Sequence, residues 1–121
     1  MHDSVVADAG GLLVLAGLLE GIEHEADEIL ALDATSLLIA EYLALRHEGG
    51  RDRARVGFTS VGQIVREWFP VRGLAVEAAL SATSSDDVDG YAALALAESL
   101  GTPLVTKNAE LRSTSVAVLY C

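Results

Sequence analysis

Residues 86–111, DDVDGYAALALAESLGTPLVTKNAEL, constrain the fold more than any other part of the chain. The Ala- and Leu-rich run from Tyr91 to Leu100 reads as a helix, with Asp89 placed to cap its free backbone N–H groups. Gly101 stops that helix, and Thr102-Pro103 bars its continuation. Leu104-Val105-Thr106 is then a short apolar run between breakers. Such a run marks a strand buried on both faces, and such strands are usually parallel. In open parallel sheets ligands bind beyond the carboxyl ends of the strands, where Lys107 and Asn108 fall.

A similar unit opens the chain. Ser4 to Ala7 is β-prone, Asp8 follows at its tip, and Gly10-Gly11 leads into an apolar helix from Leu12 to Leu19 that ends near Gly21. Strand, acidic tip and helix form the first half of a βα unit. No Gly-Lys-Ser/Thr follows the glycine pair, so it is a weak phosphate-loop candidate. Ile22 to Leu32 places Ile22, Ala26, Ile29 and Leu30 on one side and acids on the other, which predicts an amphipathic surface helix.

Asp33, Thr35 and Ser36 offer caps for a third helix running to about His47. Within Leu37 to Leu45 the only charged group is Glu41, and its helical neighbours are Leu37, Leu38, Ala44 and Leu45. An unpaired buried carboxylate is costly, so Glu41 either turns to solvent or lies beside a cation. Glu48 to Arg55 reads as a polar loop, either an ordinary solvated turn or a phosphate-contacting lip. Thr59 or Ser60 can cap a helix that reaches Trp68, with Val61, Ile64, Val65 and Trp68 on its core face. Beyond Pro70, a short strand is expected at Val71 to Leu74, a helix at Leu74 to Leu80, a loop at Thr83 to Asp87, and a last strand at Ser115 to Leu119. The expectation is one α/β domain over residues 1–121.

Composition narrows the partners. A formal charge of −10 argues against a broad nucleic-acid surface, since phosphate binding depends on Lys and Arg. It leaves room for a small basic groove from Arg46, Arg51, Arg53, Arg55 and Lys107. The longest apolar run, Ala9 to Leu19, is too short for a bilayer and follows Asp3 and Asp8, so neither a membrane span nor a signal peptide is expected. The single cysteine, Cys121, fits a reducing, cytoplasmic setting. His2, His24 and His47 show no metal-ligand spacing; His47 suits a cation at a helix C-terminus. The apolar excess makes self-association, as a dimer, a further expectation.

If the strands are parallel and adjacent, Asp8, Glu41, the group Asp86, Asp87 and Asp89, and Asn108 converge on one sheet edge. A hard cation relieves the repulsion in such a cluster, and Mg²⁺ prefers carboxylates and water. VVADAGGLLVLAGL, SLLIAEYLALR and above all ALALAESLGTPLVTKNAEL resemble the successive blocks of PIN-domain proteins, the metal-dependent ribonucleases that include VapC-type toxins of toxin–antitoxin pairs. The likeness omits roughly Glu48 to Ser85.

That resemblance implies a three-layer α/β/α fold with a short, mainly parallel sheet of about four to five strands. It also implies a Mg²⁺- or Mn²⁺-dependent endoribonuclease in which Asp8, Glu41 and Asp89 hold the metal and catalyse, with Asn108 as a further ligand. RNA would be met by Arg46, Arg51, Arg53, Arg55 and Lys107, and an antitoxin is an implied partner. Asp8 matches the family's first acid and Glu41 its helical acid. Its third acid aligns with Gly90, one residue after Asp89, and its fourth with Asn108, an amide that brings no charge. Those departures keep open a degenerate module that binds RNA, an antitoxin or a second copy without cleavage. A purely structural oligomer is a further alternative.

Overall fold

A computed structural model describes residues 2–46 and 49–121, apart from the side chain of Asp86. The expected role of His47 and the start of the predicted loop at Glu48 lie outside the described residues. Five strands, β1 (His2–Ala7), β2 (Ala26–Leu32), β3 (Val65–Phe69), β4 (Leu104–Thr106) and β5 (Val118–Tyr120), form one sheet in the order β3-β2-β1-β4-β5, with every pairing parallel. Five α-helices join them: α1 (Ala9–Leu15), α2 (Thr35–Glu41), α3 (Gly50–Ile64), α4 (Gly73–Ala79) and α5 (Val88–Leu100). A π-helical turn, Tyr42–Arg46, extends α2, and a 3₁₀ turn, Ser85–Asp87, precedes α5.

The central strands explain the layering. Val5, Val6 and Ala7 of β1 are wholly buried, as are Leu104 and Val105 of β4, because helices cover both faces of the sheet. Alternate residues feed two cores. Val5, Ala7 and Val105 pack with Leu12, Ile39 and Val61 of α1 to α3 and with Leu43 of the π-helical turn, while Val6 and Leu104 pack with Ala93, Leu94 and Ala97 of α5. The result is the three-layer α/β/α arrangement of a PIN-like fold. From β1 the chain travels one way to β2 and β3, then returns to lay β4 and β5 on the other side. The reversal falls between β1 and β4, where Val6 pairs with Leu104 and Ala7 with Val105.

Several expectations need correction. The segment predicted as a surface helix over Ile22 to Leu32 is instead strand β2 from Ala26, paired on both sides. Its apolar residues satisfy either period, and pairing with two neighbouring strands outweighs helix propensity. The first helix ends at Leu15 rather than Leu19, because Gly17 adopts a left-handed conformation at φ 77°. The supposed loop at Arg51 to Arg55 belongs to α3, which begins at Gly50. Thr59 and Ser60 do not cap a helix; within α3 their hydroxyls donate back to the carbonyls of Arg55 and Val56. That helix stops at Ile64, and Val65 to Trp68 enter β3 beside β2. No strand forms at Val71 to Leu74, and the last strand begins at Val118 rather than Ser115. Helix α5 begins at Val88, ahead of the predicted Tyr91, with Asp89 inside its first turn rather than at its cap, whereas its stop at Gly101 (φ 65°) and the buried strand β4 stand as predicted. Among the described residues no helix is long and apolar enough to cross a membrane.

Candidate functional site

A cleft of about 250 Å³ opens at the carboxyl ends of β1 and β4, where an open parallel sheet binds ligands. Asp8, Glu41, Asp89 and Asn108 all line it, together with Arg46 and Lys107. Residues separated by up to a hundred positions in the chain thus share one edge. Arg51, Arg53 and Arg55 do not. They are exposed along α3, and Arg51 and Arg55 border a different groove with Ala40, Leu43 and Phe58.

Asp8 sits on the floor, 6% exposed. It is the N-cap of α1: Oδ1 accepts from the Gly11 amide at 2.9 Å, and Oδ2 accepts from the Thr106 hydroxyl at 2.5 Å. Burial raises its pKa from 3.8 to about 6, against the lowering effect of the Thr106 and Gly11 hydrogen bonds, and the Asp89 charge raises it further. The floor is tight. A Cβ at Gly11 would overlap the carbonyl oxygen of Val105, so only glycine lets α1 approach β4 so closely.

Asp89 stands in the first turn of α5, and its carboxylate leaves its own helix. Oδ2 accepts from the Ala9 amide at 2.7 Å and Oδ1 from the Thr35 hydroxyl at 2.6 Å. The predicted cap of α5 therefore serves the start of α1 instead. Burial raises the pKa of Asp89, partly offset by those two hydrogen bonds. Gly90, where the resemblance expects an acid, is buried against the same floor. A Cβ there would lie 3.0 Å from Leu111 Cδ1 and 3.5 Å from Asp8 Oδ2.

The remaining residues occupy the mouth. Glu41 turns to solvent and pairs with Arg46 at 3.7 Å, so both options raised by its sequence context hold together. Asn108 donates from Nδ2 to Asp87 Oδ1 at 3.0 Å, and its Oδ1 accepts from the Glu110 amide at 3.0 Å. Lys107 directs its ammonium to the carbonyls of Glu20 (3.0 Å) and Cys121 (3.2 Å), which ties down the end of the chain after β5.

Among the described residues no three His, Cys, Asp or Glu side chains gather closely enough to enclose an ion. Mg²⁺ does not demand such a cage; it retains waters and commonly takes one or two carboxylates plus substrate phosphate oxygens. The donor chemistry of Asp8 and Asp89 suits that mode. Each oxygen uses one hydrogen bond and keeps further acceptor capacity, and neither residue has a salt-bridge partner among the described residues. Thr35 and Thr106 were not singled out as site residues from sequence. Thr35 read only as a possible cap and Thr106 only as a strand residue, and nothing local marks either as an acid's partner. No protein-family model matches the chain, and comparison with curated proteins gives no match.

Proposed function

We propose that the protein is a divalent-metal-dependent endoribonuclease of the PIN type. The observation that supports this is the buried pair Asp8 and Asp89, two carboxylates that repel each other at the sheet reversal, neither in a salt bridge among the described residues. Taking such a pair out of water is unfavourable unless positive charge compensates it. In this reading Asp8 and Asp89 would hold Mg²⁺ or Mn²⁺, with Glu41 and Asn108 lining the mouth of the same cleft as further oxygen donors. The ion, when bound, supplies a more acidic water and stabilises charge on the leaving oxygen of a phosphodiester.

The chain's own residues arrange the substrate. Arg46 is the guanidinium at the cleft mouth, and its exposed pairing with Glu41 is weak enough for a phosphate to displace. Arg51 and Arg55, one turn apart on α3, would meet the RNA backbone beyond the cleft, and Arg53, two positions from each, lies on a different side of the helix. Hydrolysis of a labelled RNA with Mg²⁺ or Mn²⁺, lost in Asp8→Ala, is the expected result. Equal cleavage by that variant overturns the assignment.

A second reading has its own support. All four oxygens of Asp8 and Asp89 already accept hydrogen bonds, and an apolar groove of about 460 Å³, lined by Leu38, Val76, Val88 and others, adjoins Asp89. These features suit a PIN-fold module that docks an antitoxin-like protein, or a second copy, without cleavage. Calorimetric titration with Mn²⁺ separates the two: binding lost in Asp8→Asn favours the nuclease, and no binding by the native protein favours the module.

A further inference from the structure

We propose that Thr35 is a positioning residue that fixes the Asp89 carboxylate in the cleft and so lets position 89 supply the acid that position 90 lacks. The inference rests on the nuclease reading above for its functional meaning, but the geometric claim stands separately. Asp89 lies in the first turn of α5, where a carboxylate ordinarily folds back onto its own helix's free N–H groups. Here it does not. Thr35, with no exposed surface at the first position of α2, donates to Asp89 Oδ1 at 2.6 Å, and the Ala9 amide at the start of α1 donates to Oδ2 at 2.7 Å.

Three elements therefore meet on one carboxylate. An acid at position 90 would need Leu111, itself buried, to move and would crowd Asp8 Oδ2. The one-residue shift to Asp89 avoids that collision but starts the side chain one residue nearer the helix start, and the Thr35 hydroxyl holds it in the cleft. Among the described residues Thr35 donates its hydroxyl to Asp89 and to no other group. The helix it begins has Ala34 as its N-cap and no side-chain cap hydrogen bond, so its hydroxyl is not spent on α2.

Thr35→Val removes the hydroxyl and keeps the branched shape; Thr35→Ser keeps the hydroxyl. In the valine variant the Ala9 amide should exchange with solvent about tenfold faster, because its acceptor is no longer held, while the Gly11 amide bound to Asp8 keeps its native rate. Mn²⁺ affinity, by calorimetry, should fall about tenfold or more in Thr35→Val and recover in Thr35→Ser. Faster exchange at both amides, a general loosening, overturns the positioning role. If the valine variant does not fold, Thr35→Ala replaces it, and in the native protein the Thr35 hydroxyl proton should exchange slowly enough to be seen by NMR. Native exchange at Ala9 in the folded variant, or a fast-exchanging Thr35 hydroxyl, overturns the proposal. Selective loosening of Ala9 in a protein that binds no Mn²⁺ upholds the positioning and overturns the nuclease reading instead.

Discussion

Asp8 on the floor of the cleft is 6% exposed with both oxygens hydrogen-bonded, whereas Glu41 at the mouth has half of its side chain in water and one ion pair at 3.7 Å. Both are carboxylates lining the same cleft, yet the fold treats them differently. The floor is held by backbone amides and buried hydroxyls from three elements, α1, α2 and β4, and cannot shift without moving α1 against β4. The mouth rests on long side chains whose pairing in water contributes little. Electrostatic stress is therefore stored where the geometry is fixed, and adaptability lies where a substrate enters.

The rigidity of the floor is the easiest part of this contrast to break. Gly11→Ala drives a methyl into the Val105 carbonyl, and we expect a loss of about 4 kcal/mol or more, read as a shifted denaturation midpoint. A variant as stable as the native protein means that α1 can lift away from β4, and the floor is not rigid.

The stress on Asp8 makes a weaker but more specific prediction. Its folded-state pKa, about 6, lies above the ordinary 3.8, so between those values the folded protein binds more protons than the unfolded chain. Stability accordingly falls as pH rises through that window. The resulting penalty at neutral pH is on the order of 3 kcal/mol and is relieved toward pH 4. Unfolding measured without divalent ions from pH 4 to 7 should show this slope, and Asp8→Asn should flatten it. A slope unchanged by that substitution would mean that the charge on the floor is compensated by something else.

Glu41→Gln probes the mouth and should be the mildest change. Stability is expected to move by less than about 0.5 kcal/mol. A loss comparable to that of a floor substitution would erase the distinction between the two regions.

Which parts of this were legible beforehand follows from how locally each was determined. The α5–β4 unit was readable because Ala and Leu propensity, Gly101, Pro103 and the run Leu104-Val105-Thr106 agree with one another. Residues 22–69 were misread in part because Ile29, Leu30, Val65 and Trp68 fit a helical stripe as well as a strand. Only the neighbours that pair with β2 and β3 decide between them. The candidate acids Asp8 and Glu41 were found from isolated charge in apolar surroundings. Thr35 and Thr106 were not, since a threonine looks alike in sequence whether its hydroxyl faces water or a buried carboxylate.

By itself the chain determined that parallel strands alternate with helices and that acids lie at strand tips and helix starts, because caps, breakers and apolar runs act over a few residues. The tertiary structure decided that Asp89 reaches α1 rather than capping α5, that Lys107 ties down the last residue, and that Arg51, Arg53 and Arg55 lie away from the cleft. Those outcomes depend on which surfaces meet across the sheet reversal, and contacts between residues tens of positions apart leave no local trace in the order of amino acids.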